Sequence, residues 1–442
     1  MQQSISTPRK ALYGAGDIMS SVAFTITALF LPYFFTDVLG LPSVLAGLVI
    51  LIGNFWDALT DPFAGFLSDK TKSRFGRRRP FFLYMALPIG ITFVLVFAVP
   101  VGLTTGATFA MCTVAYMIFM LCSTFYVVPY YAFGMEIEKS YDGRTSLTAW
   151  RMLFSIAFGL AAAVAPKMIW ESAEVPSQGF LLMAIIFAIP IALSTLAPFF
   201  SSHEPKLKEK HKSHFWSDLR NAMKSRTFIK GVLIFVVTWT GVNVVQTLLI
   251  YYFKYVVEIP DQFEIVVAVL FGVTILALPL WVFLSKRLDK RKAFIIGAAI
   301  FGAGLCVLLL SANAVLSVLW VLVPILGIGL SALHVMPTAI MPEAIEAASG
   351  GKSGEGAHYG IATLLYKISN ALMQFGVLAI LGAVGYIETT QETAVAQPAS
   401  AISAIRLLLV LVPVALLIIG MISAALFKIG RHGEITKKQR TE

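Results

Sequence analysis

The stretch LVILIGNFWDALTDPFAGFLSDKTKSRFGRRRP, residues 48–80, runs from an apolar segment straight into a dense basic loop. The apolar part, read from Val44 to Leu67, is long enough to cross a bilayer as a helix. About 20 residues rising 1.5 Å each span roughly 30 Å of hydrocarbon, and a helix satisfies its backbone groups internally where no water can. Working outward, the same alternation of apolar run and charged loop recurs along the chain. The predicted spans are Tyr13 to Phe35, Val44 to Leu67, Pro80 to Val101, Ala107 to Phe133, Ser146 to Ala165 and Phe180 to Phe200. They continue with Phe228 to Phe253, Ile265 to Leu284, Ala293 to Leu310, Val315 to Ile340, Gly360 to Tyr386 and Ile402 to Leu426. This is the pattern of an all-α integral membrane protein with twelve transmembrane helices.

Composition agrees with a bilayer as solvent. Of 442 residues, 58% are hydrophobic and 13% charged, far more apolar than an average soluble domain. The net charge of +10 sits in short clusters between apolar runs and not along one groove, so no nucleic-acid partner is expected. The three cysteines, Cys112, Cys122 and Cys306, fall inside apolar segments and imply no disulfide framework. The opening MQQSISTPRK is too short and polar for a cleaved signal, so the run from Tyr13 is read as a retained first helix.

Lysine and arginine are retained on the cytoplasmic side of short loops. Arg9, Lys10, the run from Asp69, Lys139, Arg144, the stretch from Lys206 to Lys230, SKRLDKRK from Ser285 and the tail from Lys428 all fall on one side. The opposite loops offer Lys167 and Lys254. Both termini are therefore expected in the cytoplasm. The polar stretch at 201–227 separates six spans from six, predicting an N-terminal bundle over 1–200, a cytoplasmic linker over 201–227, a C-terminal bundle over 228–428 and a tail over 429–442. Internal echoes support two pseudo-symmetric six-helix bundles. LSDKTKSRFGRRRPFF after span two is echoed by LSKRLDKRKAF after span eight, and VVPYYAFGME by VMPTAIMPE. Two repeated halves suit a binding site between them, open alternately to either side.

Ionisable residues inside spans are costly, about 2.5 to 3.5 kcal/mol at a helix centre unless paired or hydrated, so they mark function. In span two, Asn54, Asp57 and Asp61 share one helical face by their spacings of three and four. Carboxylates one turn apart repel and require a bound cation, a raised pKa or a cationic partner. Lys367 of span eleven is a candidate partner. Arg151 in span five either faces a cavity, to hydrogen-bond a substrate hydroxyl or carboxylate, or snorkels to the surface. Asp17, Ser20 and Ser21 in span one, Thr124 and Tyr126 in span four, and Asn243 and Gln246 in span seven are further cavity candidates. Tyr126, Tyr130, Tyr131, Trp150 and Tyr366 offer flat surfaces for stacking a sugar ring, and His334 is a possible proton carrier. Asp69, with Arg74, Arg77 and Arg78, is read as a gate of ion pairs as well as a topology signal. No HExxH, GxSxG or nucleotide-binding glycine loop stands in a suitable context, so an intramembrane enzyme is not expected. A receptor or sensor is disfavoured because no appended soluble domain is recognised.

These residues resemble the glycoside, pentoside and hexuronide cation symporters of the major facilitator superfamily, typified by the bacterial melibiose carrier. The resemblance covers nearly the whole chain. It is carried by YGAGDIMSS, by YFFTDVLGL with NFWDALTDPFAGFLSDKTKSRFGRRRP, by YVVPYYAFGMEIEKSYDGRTSLTAWR and by GIATLLYKISNA. It implies the major facilitator fold, a multi-pass place in the cell (inner) membrane, and cation-coupled transport of a sugar or glycoside by alternating access. It further implies that Asp57 and Asp61 hold the coupling cation, that Thr124 contributes to that site, and that Lys367 and Arg151 belong to the site region. Two departures from the family pattern matter. Ser21 and Val127 stand where the melibiose carrier has sugar-binding aspartates, and Asp17, one turn before Ser21, is a candidate substitute. Thr60 stands where an asparagine helps bind sodium, so the coupling ion is read as H+ or Na+.

The expected partners are a small-molecule substrate, the coupling cation and the lipid bilayer, with no other cofactor and a monomeric carrier. The cation set is Asp57, Asp61, Thr124, Asn54 and Thr60. The substrate set is Asp17, Ser21, Tyr126, Trp150, Arg151, Gln246, Tyr366 and Lys367. The alternative within transport is a carrier for a non-sugar solute such as a lysolipid.

Overall fold

The computed structural model describes residues 5–138, 141–202, 223–310, 315–349, 355–391 and 395–427. Most of the expected 201–227 linker, Lys139 and the 429–442 tail lie outside them. The described residues are helical, with one isolated antiparallel bridge between Leu39 and Thr390. We label the helices α1 (Thr7–Ala15), α2 (Asp17–Tyr33), α3 (Ser43–Lys70), α4 (Arg79–Tyr84), α5 (Ala86–Phe97), α6 (Thr105–Ile137), α7 (Tyr141–Trp170) and α8 (Pro176–Ser201). Then follow α9 (Arg226–Tyr251), α10 (Phe263–Leu288), α11 (Lys290–Leu310), α12 (Val315–Ser349), α13 (Glu355–Ala383) and α14 (Ala399–Ala425). Short π-helical turns extend α2 over Phe34–Val38 and α9 over Tyr252–Val256.

Eleven helical segments among the described residues are long and apolar enough to cross a membrane. The remaining expected span, the third, Pro80 to Val101, is divided into α4 and α5 with a bend at Met85. Pro88 supplies the reason. Its ring crowds the carbonyl four residues earlier, at Tyr84, and it has no N–H to donate there, so the helix bends one turn before it. The break is local, because Met85 N–H still reaches Phe81 O and Ile89 N–H reaches Met85 O, both at 3.0 Å.

Two compact units emerge, Met1–Glu209 with Gln374–Ala401, and Lys210–Met373 with Ile402–Glu442. In the first unit α2 packs on α7 and α8, α3 on α6, and α5 on α6 and α8. Its interior is aromatic: Phe34 lies against Phe97 and Phe180 at 5.2 and 5.0 Å between ring centres, and Trp170 stacks on Phe180 at 4.4 Å. Gly14 lets α1 touch α7, since a Cβ there would stand 2.7 Å from the Trp150 carbonyl carbon.

The end of α13 belongs to this unit too. Phe375 and Leu378 face Gly47 of α3, and the Tyr386 hydroxyl donates to fully buried Asp37 at 2.7 Å. Thr36 adds a second donor to that carboxylate at 2.8 Å. In the second unit α12 packs on α9, α10 and α11, and Phe228, Val232, Phe235, Met341, Ile345 and Ile361 form a shared core. The outward faces are apolar, with Leu276 80% and Leu310 83% exposed, which a bilayer covers and water would not favour.

Candidate functional site

Helix α3 is built with two faces. Phe55, Leu59 and Phe63, four residues apart, are exposed and apolar, whereas Gly53, Asp57, Thr60 and Ala64 are buried. The buried face meets α6, and Gly53 makes room for the Tyr116 ring there. Against that contact the Thr124 hydroxyl donates to Asp57 Oδ1, with both residues buried. One turn towards the start of α3, Asn54 Oδ1 accepts from the Tyr116 hydroxyl at 3.2 Å. One turn towards its end lies Asp61, half-buried, on the same face. Thr60 turns its hydroxyl onto its own helix, donating within 3.0 Å of Trp56 O and 3.1 Å of Asp57 O.

The expected cation set is thus gathered along one seam, and each member carries a hard oxygen. Carboxylate, hydroxyl and amide oxygens suit Na+, and the two carboxylates equally suit a proton. Tyr116 was not anticipated from sequence. Its contribution depends on α6 lying against α3, and an aromatic at that position carries no charge signal.

A second group forms where α1, α2, α6 and α7 meet. Asp17 opens α2, and its Oδ2 lies 3.9 Å from Arg151 Nε on α7. The Tyr131 hydroxyl is 3.4 Å from Asp17 Oδ1, and the Arg151 guanidinium stands over the Tyr131 ring at 5.0 Å. Ser21 donates to Ser155 O, fastening α2 to α7. Trp150 is half-buried, near Phe154 and with its backbone against Gly14.

Tyr126 is fully buried and donates to Gly16 O at 2.8 Å. Tyr130 likewise donates to Tyr13 O at 2.9 Å and stacks on Tyr13 at 4.7 Å. These two rings brace the break between α1 and α2. The structure therefore places Tyr126, expected among substrate contacts, in helix packing, with its hydroxyl already bonded to backbone.

The basic loop after α3 is cross-linked to α6. Arg78 Nη2 binds Asp69 Oδ1 at 2.8 Å and its Nη1 reaches Glu136 Oε1 at 2.9 Å. Arg77 binds Glu136 through Nη2 at 3.0 Å and lies 3.8 Å from Asp69. Asp69, Arg77 and Arg78 are thus brought together as expected, and Glu136 joins them unforeseen. Arg74 stands elsewhere, its guanidinium 4.6 Å over the Phe75 ring. Glu136 was visible as an acid ending span four, but nothing in the sequence paired it with a loop 59 residues away.

In the second unit, Tyr366 and Lys367 are neighbours on α13, both half-buried. The Tyr366 hydroxyl accepts from Asn243 Nδ2 of α9 at 2.9 Å. Gln246, one turn from Asn243, is half-buried on the same helix. His334 packs edge-on to Trp239 at 5.0 Å, with Nδ1 3.0 Å from Leu330 O, a satisfied packing arrangement. Among the described residues no cluster of three or more His, Cys, Asp or Glu has the makings of a metal centre.

Comparison with known proteins follows this geometry. The family described as MFS/sugar transport protein matches residues 12–431. An uncharacterized symporter from Synechocystis sp. is 27% identical across 99% of this chain and 98% of its own length. A putative glycoside/cation symporter from Escherichia coli is 37% identical, over 34% of this chain and 32% of its own. The sodium-dependent lysophosphatidylcholine symporter 1-A of Danio rerio is 21% identical over 78% of this chain and 71% of its own. Among solved structures, a bacterial homolog of the human lysosomal transporter Spinster, inward-facing and unoccupied, superposes with a TM-score of 0.63. That match covers 95% of both chains at 14% identity, a likeness of fold alone.

Proposed function

The chain belongs to the MFS/sugar transport protein family, a multi-pass membrane transporter and not an enzyme, and from that premise we propose that it carries a sugar or glycoside in symport with H+ or Na+ by alternating access. The observation that carries this reading is the Asp57–Thr124 contact, with Asp61 one turn further along the same helix face. Two carboxylates one turn apart on a single helix face repel each other, so a cation bound beside them changes the energy of the α3–α6 contact. Coupling needs only that cation and solute each favour the same state of the carrier, a linkage free energy between two sites.

Asp17, Arg151 and Trp150 are the proposed solute residues of the first unit, and Tyr366, Lys367 and Gln246 are those of the second. Residues Asp69, Arg77, Arg78 and Glu136 form the proposed gate. The protein works from the cell (inner) membrane with both termini in the cytoplasm, as the basic loops favour.

A second reading, carriage of a lysolipid or other non-sugar solute, is favoured by the lysophosphatidylcholine symporter among its relatives. One experiment separates the two. Counterflow of radiolabelled sugars and glycosides into proteoliposomes is measured with and without sodium and a pH gradient, in wild type and Asp57→Asn. Cation-dependent uptake of one sugar, lost in Asp57→Asn, is the expected result. No sugar signal under any condition, with uptake of lysophosphatidylcholine instead, transfers the assignment to the second reading.

A further inference from the structure

Helices α3 and α10 carry the same surface device. On α3, Leu59, Phe63, Phe66 and Lys70 follow one another at spacings of four, three and four, which sets them along one helical face. On α10, Leu276, Leu280, Phe283 and Arg287 repeat those spacings. In both, a cation closes the stripe by lying over its last ring. Lys70 Nζ stands 4.1 Å from the centre of Phe66, and the Arg287 guanidinium 4.5 Å from that of Phe283. The six apolar side chains each leave about half of their surface or more uncovered. The packed side of each helix lies elsewhere, with Asp57, Thr60 and Ala64 buried on α3 and Thr274, Ala277 and Trp281 on α10.

A topology signal needs only charge somewhere in the loop. It does not require the cation to be in register with an uncovered apolar stripe, or to lie on that stripe's last ring, or to do so in both units. The loop after α3 separates the two tasks. Arg77 and Arg78 turn to Glu136 and Asp69, and Arg79 donates to the Phe199 carbonyl at 2.7 Å. Lys70, Lys72 and Arg74 are exposed, and Lys70 and Arg74 lie on rings. Asp69, the neighbour of Lys70 in sequence, is drawn to Arg78. In the echoed stretch of α10 its place is taken by Lys286, which is exposed, so a second cation stands beside Arg287.

The dimensions suit one leaflet. Leu59 to Lys70, and Leu276 to Arg287, are each eleven residue steps apart. That is a rise of about 16 Å, close to half of the roughly 30 Å of hydrocarbon. An acyl chain laid along either stripe therefore brings its headgroup to the cation. A cation on a ring face keeps N–H donors that the ring does not use, and a lipid phosphate is the anionic acceptor at that depth.

We propose that each stripe seats one phospholipid with a net negative headgroup, an acyl chain along the apolar side chains and the phosphate on Lys70 or Arg287. The lipid belongs to the leaflet on the side of the basic loops. Its seat is apart from the proposed cation and solute residues, so the inference does not depend on which solute is carried.

The test uses purified full-length protein and native mass spectrometry, with dioleoyl phosphatidylglycerol and dioleoyl phosphatidylcholine as probes of equal chain and different charge. Wild type is expected to prefer phosphatidylglycerol by about fivefold at each stripe, the worth of one interfacial cation. Lys70→Gln is expected to remove that preference at one stripe, and Lys70→Gln with Arg287→Gln at both. Lys224→Gln with Arg226→Gln takes the same charge from exposed positions off the stripes and is expected to keep both sites. Inorganic phosphate in excess is expected to leave the lipid bound, because it cannot cover the apolar side chains.

Equal uptake of the two lipids by wild type overturns the inference. So does a preference that survives Lys70→Gln with Arg287→Gln. An equal loss in the Lys224→Gln, Arg226→Gln protein overturns it as well, since net charge and not the stripes then holds the lipid. Displacement by inorganic phosphate reveals a bare phosphate site and removes the acyl seat.

Discussion

The Thr124 hydroxyl on α6 donates to the Asp57 carboxylate on α3, and the two groups are buried together at the contact between those helices. A cation entering beside Asp57 therefore meets a carboxylate already oriented from the neighbouring helix. Loss of a hydrogen bond to a charged group costs about 1.5–3 kcal/mol. Thr124→Ala is accordingly expected to raise the half-saturating cation concentration by about ten- to a hundredfold, and Thr124→Ser to restore it. Cation titrations of solute uptake in proteoliposomes measure this directly, and an unchanged titration in Thr124→Ala counts against Thr124 as a member of the site.

Gly14 is required by the close approach of α1 to α7, where an added methyl would sit 2.7 Å from the Trp150 carbonyl carbon. Backbone cannot yield as a flexible side chain does. Gly14→Ala is expected to destabilise the protein by about 1–3 kcal/mol through overpacking. A lowered midpoint of thermal unfolding in detergent is the readout, with Gly376→Ala, near which nothing stands within 4 Å, as the comparison for crowding.

Arg78 bridges two carboxylates and is 9% exposed at its side chain, whereas Arg74 lies over an adjacent ring. Removing this nearly buried cation leaves Glu136, 15% exposed at its side chain, with Arg77 as its remaining partner in the network. Arg78→Ala is expected to slow uptake strongly, and Arg74→Ala to stay within about 0.5 kcal/mol of wild type in stability. In a double-mutant cycle, Glu136→Ala is expected to cost much less in an Arg78→Ala background than alone. Additive effects in the cycle mean that the two residues act independently.

Asp37 has no exposed surface and takes hydrogen bonds from Tyr386 and Thr36. Tyr386→Phe removes the hydroxyl while keeping the ring. The expected loss is about 1–3 kcal/mol, because a buried carboxylate forfeits a donor that water cannot replace. Thermal unfolding of Tyr386→Phe beside Tyr255→Phe, a tyrosine outside this cluster, checks it.

Much of this was legible in the chain because the bilayer imposes a one-dimensional rule. A run of about 20 apolar residues reads as a span whatever surrounds it. The common face of Asn54, Asp57 and Asp61 was legible too, since they lie within one helix, where spacing alone sets their shared side. The third span lies where length and apolarity put it, and only its bend escaped them, because they do not register a proline's effect on the turn before it. Pro88 divides that run into α4 and α5.

Sequence alone determined the membrane class, the places of the spans, the shared face of Asp57 and Asp61, and the basic loop that ends α3. All of these follow from local hydropathy and helical period. Tertiary structure decided what lies against what: Thr124 on Asp57, Glu136 on Arg77 and Arg78, Tyr126 on the Gly16 carbonyl, Tyr386 on Asp37, and Asp17 near but not on Arg151. Side-chain hydrogen bonds act over about 3 Å and require a fixed approach, so they depend on which helix faces meet. That choice belongs to the packing of whole helices, which no single stretch of the chain encodes.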